Sequence, residues 1–82
     1  MYKELLEFII KNLVNHPDEV FVDETTTDEK VKLKVKVAKE DMGRVIGKEG
    51  RIIRSIREII YAYAAKESKK VSVDVEETKE NN

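Results

Sequence analysis

The sequence has no cysteine and no tryptophan, and only one proline, one histidine and three glycines in 82 residues. The missing cysteines exclude a disulfide scaffold, a thiolate zinc site and a cysteine nucleophile together, and they fit a reducing compartment. The lone histidine, His16, stands beside Pro17 with no partner spaced for a metal site or a catalytic triad, and its expected role is structural. No apolar stretch approaches the roughly 20 residues that a membrane-spanning helix needs. The early Lys3 and Glu4 argue against a signal peptide. The expectation is therefore one small, soluble, cytoplasmic domain, with no membrane association, no cofactor and no metal. With no carboxylate pair tied to a recognisable pocket, it is not expected to be an enzyme.

Charge is abundant but nearly balanced, 16 Lys+Arg against 17 Asp+Glu. Taken globally, a formal net charge of -1 argues against a nucleic-acid binder, because such domains usually carry a basic excess. The balance is local, however. Residues 1–29 carry 2 basic and 8 acidic side chains, residues 30–57 carry 10 and 3, and residues 58–82 carry 4 and 6. The acidic ends hide a basic centre.

Hydrophobic periodicity places the elements. Tyr2, Leu5, Leu6, Ile9 and Leu13 fall on one face of a helix over residues 2–15, with Phe8 off the stripe. Asn15-His16-Pro17-Asp18 ends that helix, because a proline disfavours helical conformation in the residue before it. A short strand is expected near residues 20–24, and residues 25–29 read as a polar connection. Val31, Leu33, Val35 and Val37 then alternate with Lys30, Lys32, Lys34 and Lys36, the pattern of a half-buried strand whose lysines serve solubility. Glu40 or Asp41 is placed to cap a short helix reaching Ile46. Gly47-Lys48-Glu49-Gly50 leads into a helix over residues 51–66 with an apolar stripe of Ile52, Ile53, Ile56, Ile59, Ile60 and Tyr63. Val71, Val73 and Val75 mark a last strand, and residues 78–82 read as a disordered polar tail. The order is α-β-β-α-α-β.

The turn between the two later helices carries the chemistry. Glycine has no Cβ, so it accepts unusual backbone angles and lets a ligand approach the main chain. The free N–H groups and dipole at the N-terminus of the following helix favour an anion, and Lys48 adds a mobile positive charge. Two better-known phosphate motifs fail on spacing. Gly43-x-x-x-Gly47-Lys48 is one residue short of the nucleotide-triphosphate loop, and Glu49 stands where a hydroxyl would hold magnesium. Gly43, Gly47 and Gly50 also miss the spacing of the dinucleotide fingerprint.

The stretch Val45-Ile46-Gly47-Lys48-Glu49-Gly50-Arg51-Ile52-Ile53-Arg54-Ser55-Ile56 resembles the signature of KH domains, whose Gly-x-x-Gly loop clamps the backbone of about four nucleotides. The element order looks like the type II arrangement. The resemblance extends over residues 1–77 to the KhpA family of small bacterial RNA-binding proteins, through Leu13-Val14-Asn15-His16-Pro17-Asp18-Glu19-Val20, Val37-Ala38-Lys39-Glu40-Asp41-Met42-Gly43-Arg44, Ala64-Ala65-Lys66-Glu67 and Val71-Ser72-Val73-Asp74-Val75.

It implies an α+β fold, a single type II KH domain of three helices packed on one face of a three-stranded sheet. It also implies a non-catalytic, single-stranded RNA-binding protein in which Gly47, Lys48, Glu49 and Gly50 contact phosphates, joined by Arg44, Arg51 and Arg54. Val45, Ile46 and Ile53 would line an apolar floor for the bases. Glu49 departs from what a phosphate clamp would choose, since it puts an acid inside the loop. The resemblance further implies a homodimer, or a heterodimer with a Jag/KhpB (EloR)-type RNA-binding protein, and an RNA-chaperone role bearing on cell shape, cell elongation and peptidoglycan homeostasis. Phe8, Tyr61, Ala62 and Ala65, off the buried stripes, form the candidate partner face. The rival reading is a protein-interaction subunit whose partner makes the RNA contacts.

Overall fold

The computed structural model describes residues 2–76; the expected polar tail, residues 78–82, lies outside them. Three helices, α1 (Tyr2–Lys11), α2 (Met42–Ile46) and α3 (Arg51–Lys66), cover one face of a sheet of three strands, β1 (Phe21–Thr27), β2 (Lys30–Lys36) and β3 (Lys70–Val75). Strand β2 is central, antiparallel to β1 and parallel to β3. The parallel pairing requires a crossover, and α2 and α3 provide it, so the Gly47–Gly50 loop sits in the middle of the crossover connection.

The alternation in β2 does what the sequence implies. Val31, Leu33 and Val35 are buried under the helices, while Lys30, Lys32, Lys34 and Lys36 stand on the open face. Leu6, Ile10, Leu33, Val35, Val45, Ile60 and Val73 are wholly buried. Each such side chain contributes about 1.5–3 kcal/mol relative to exposure.

Four details differ from the sequence reading. Helix α1 ends at Lys11 instead of Asn15. Its last turn tightens as Leu13 N–H bonds the Ile10 carbonyl at 2.9 Å and the Asn12 side chain donates to the Phe8 carbonyl at 2.7 Å. The buried line is Tyr2, Leu6 and Ile10, and Leu13 is 37% exposed. Strand β1 continues through Thr25, Thr26 and Thr27, which pair with Lys32, Val31 and Lys30. Threonine is β-branched and suits a strand wherever a partner offers its ladder, so these residues were not a connection. On α3 the buried residues are Ile53, Ile56, Ile60 and Ala64, and Ile59 is 52% exposed.

Asp41 is the fourth. It makes no capping bond to α2. It is instead fully buried, and its two carboxylate oxygens accept the N–H groups of Asn15 at 3.0 Å and His16 at 2.9 Å. Burial pushes its pKa up, but the two N–H donors, with His16 and Arg44 nearby, outweigh this and hold the carboxyl below its usual value. His16 enters this arrangement through its backbone, and its ring lies 3.9 Å from Glu19 and 3.7 Å from Glu40. At the other end of the domain the Tyr2 hydroxyl donates to the Glu67 carboxylate and its ring meets Tyr63 edge-on at 5.3 Å. The bond to Glu67 and then burial push the phenol up to about 12.

Candidate nucleic-acid interface

Helix α2 stops at Gly47, whose N–H bonds the Gly43 carbonyl at 2.8 Å. Gly47 has φ 75° and ψ 176°, a combination essentially restricted to glycine. A Cβ there would also lie 2.6 Å from the Ile52 side chain. Two requirements, backbone and space, fix glycine at this position. Lys48–Gly50 then forms one 3-10 turn, closed by Gly50 N–H on the Gly47 carbonyl at 3.2 Å. Glu49 (φ 56°) and Gly50 (φ 72°) both adopt the left-handed conformation, but a Cβ on Gly50 would touch nothing closer than Ile53 at 4.0 Å. Glycine is needed there for its angles alone.

The 16-residue α3 starts immediately after this turn, and its N-cap, Gly50, offers no side-chain cap. Its first turn therefore presents a dipole end without a side-chain acceptor, the arrangement that accepts an anion. Arg44, Lys48, Arg51 and Arg54 are all exposed around it, and Glu49 is exposed among them. The four cations outnumber the one acid, so the loop end is positive although the chain as a whole is not.

Two of the three residues expected to line an apolar floor are buried in the core. Val45 is wholly buried and Ile53 nearly so, both inside the core. The partly exposed apolar side chains flanking the loop are Ile46 and Ile52. Ile52 lies on the apolar stripe of α3 but is only partly buried, and it packs over Gly47, a neighbour that sequence periodicity could not contain. The next arginine along α3, Arg57, points elsewhere: its Nε donates to the Val73 carbonyl at 2.9 Å and ties α3 to β3. Of the residues assigned to a partner face, Phe8 is 68% and Tyr61 41% exposed, and Ala62 and Ala65 are exposed. Among the described residues no group of three or more His, Cys, Asp or Glu could hold a metal ion, and no helix is long and apolar enough to cross a membrane.

This chain matches the KhpA/KhpB KH-domain family over residues 3–75. It belongs to that family. It is 55% identical over 73 residues to the RNA-binding protein KhpA of Clostridium acetobutylicum, covering 89% of this chain and 97% of the relative. It is 45% identical to KhpA of Listeria monocytogenes, over 89% of this chain and 96% of that one. It is 47% identical to KhpA of Caldanaerobacter subterraneus, over 88% and 96%. Among solved structures it resembles a variant of Era from Aquifex aeolicus with a TM-score of 0.65 at 14% identity, over 90% of this chain and 29% of that one. At that identity the likeness speaks to the fold alone. With the family in place, the α-β-β-α-α-β order and the loop within the crossover connection are those of a single KH domain.

Proposed function

We propose that this KH-domain chain is a non-catalytic binder of single-stranded RNA, clamping a few successive phosphates at the Gly47–Gly50 loop. The observation that carries the reading is the joining of a glycine-bounded turn to the uncapped N-terminus of α3, with Arg44, Lys48, Arg51 and Arg54 exposed around it. The name of its relatives, RNA-binding protein KhpA, points the same way. Backbone N–H groups and the Lys48 ammonium hold phosphates, and Ile46 and Ile52 offer apolar surface to the bases. If about three phosphates are neutralised, the single-strand salt slope is roughly -2, and affinity falls about tenfold or more between 50 and 200 mM salt.

The test is K48D/E49D. Both side chains are exposed, so the fold should persist by circular dichroism while crosslinking to RNA falls sharply. Undiminished crosslinking in a folded variant would sink the reading and favour the rival in which a partner carries the RNA.

One weak site of this kind gains affinity when linked to another. We infer pairing with a second copy or with a KhpB-type protein through Phe8, Tyr61, Ala62 and Ala65, a face supported by its exposure and by the joint KhpA/KhpB family. Unchanged sedimentation of A62E/A65E would remove that face. An RNA-chaperone role with such a partner, bearing on cell shape and peptidoglycan homeostasis, rests on the resemblance to the KhpA family.

A further inference from the structure

The face of the sheet opposite the helices bears a patterned charge that the loop does not explain. Register aligns its side chains in rows across the three strands. Thr27, Lys30 and Lys70 form one row, and Thr25, Lys32 and Ser72 form the next. Together they make a grid of three cations and three hydroxyls with no carboxylate inside it. The following row is different: Lys34 lies between Asp23 and Asp74, and its ammonium is 3.5 Å from Glu76. Glu29 borders the grid on the other side, at the turn before Lys30.

Simple solubilisation would be served by mixed charge everywhere on this face. The sheet instead neutralises Lys34 and leaves Lys30, Lys32 and Lys70 without a carboxylate partner in their own rows. Lys30 and Lys32 stand about 6.6 Å apart, two residues of strand rise, comparable to the separation of adjacent phosphates in an extended single strand. The three hydroxyls supply further donors to phosphate oxygens. At the far end of the face Phe21, 58% exposed, sits opposite Lys36 and offers a ring on which a base can stack.

We propose that this open sheet face, centred on Lys30, Lys32 and Lys70, is a second contact for the backbone of single-stranded RNA, independent of sequence and on the opposite side of the sheet from the Gly47–Gly50 loop. The domain then holds two stretches of RNA at once, one clamped and one loosely tracked, which is a useful property for bringing strands together.

The test measures affinity for a mixed-sequence single-stranded RNA by fluorescence anisotropy across a salt series. The proteins are the unaltered chain, K30Q/K32Q/K70Q, and a charge-matched control, K3Q/K11Q/K66Q. Loss of three phosphate contacts lowers the magnitude of the salt slope by roughly 2, and the control leaves it in place. On a K48D/E49D background, the residual binding is expected to be abolished by K30Q/K32Q/K70Q. An unchanged slope in K30Q/K32Q/K70Q, or an equal loss in the control, overturns the proposal. If K48D/E49D alone abolishes all binding, the open face carries none and the proposal fails while the loop reading stands. If K48D/E49D changes nothing, the loop reading fails, and the lysine variant still decides the sheet face.

Discussion

The Asp41 carboxylate accepts the backbone N–H of His16 at 2.9 Å across 25 residues of sequence, and that of Asn15 beside it at 3.0 Å. One buried acid thus fastens the segment after α1 to the entrance of α2, the helix that ends in the Gly47–Gly50 turn. Positioning of the loop depends on this fastening, because a five-residue helix has little stability of its own.

Acid should release that fastening. The folded-state pKa of Asp41 is lowered, so its contribution is fully present above the unfolded value of 3.8 and is lost as pH falls through the folded value. Urea midpoints of the unaltered protein and of Asp41→Asn should differ clearly at pH 7, the variant being less stable. The gap should narrow below about pH 4, as first the unfolded and then the folded acid becomes protonated. A gap independent of pH would assign the loss to packing alone.

The three left-handed residues of the loop should respond differently to substitution. Gly47→Ala meets both a forbidden backbone region, costing about 1–3 kcal/mol, and the Ile52 side chain, so it should be the most destabilising. Gly50→Ala meets only the conformational cost, about 1–2 kcal/mol. Glu49→Asn introduces a residue that tolerates this conformation and removes the acid from the loop. It should be neutral to stabilising and should tighten RNA binding. Denaturant midpoints at constant m-value rank the three, and equal losses at Gly47 and Gly50 would contradict the geometry.

Neighbouring isoleucines on α3 offer a sharper contrast. Ile60 is wholly buried, and Ile60→Ala should cost about 2–5 kcal/mol. Ile59→Ala, at an exposed position, should fall within about 0.5 kcal/mol of the unaltered protein. A large loss at Ile59 in dilute solution would place it in a covered interface.

Most of the fold was legible because period-2 and period-3.6 patterns are local: the valines of β2 and the isoleucines of α3 announce their elements without reference to anything distant. What escaped was decided by partners elsewhere in the chain. Thr25 to Thr27 look like a turn until Lys30 to Lys32 offer a ladder. Ala64 joins the core in place of the larger Ile59, because helix rotation against β3 is set by packing. Asp41 has the composition of a cap, and only the fold brings the N–H groups of residues 15 and 16 to it. The loop was legible as a motif. The burial of the apolar residues beside it was not, since full burial of Val45 and partial burial of Ile52 depend on how α2 and α3 meet.

The bond from Arg57 to the Val73 carbonyl also bears on self-association. β3 is an outer strand, and outer strands recruit foreign strands through their unpaired carbonyl and amide groups. A guanidinium seated on that margin occupies an acceptor an incoming strand would need, and it leaves a positive charge in the way. Along the opposite margin, β1, no arginine stands among the described residues of the strand, which offers Asp23, Glu24 and its threonines instead. Uncontrolled growth of the sheet, when the domain is stressed, should therefore begin on the β1 side, away from the strand that α3 holds.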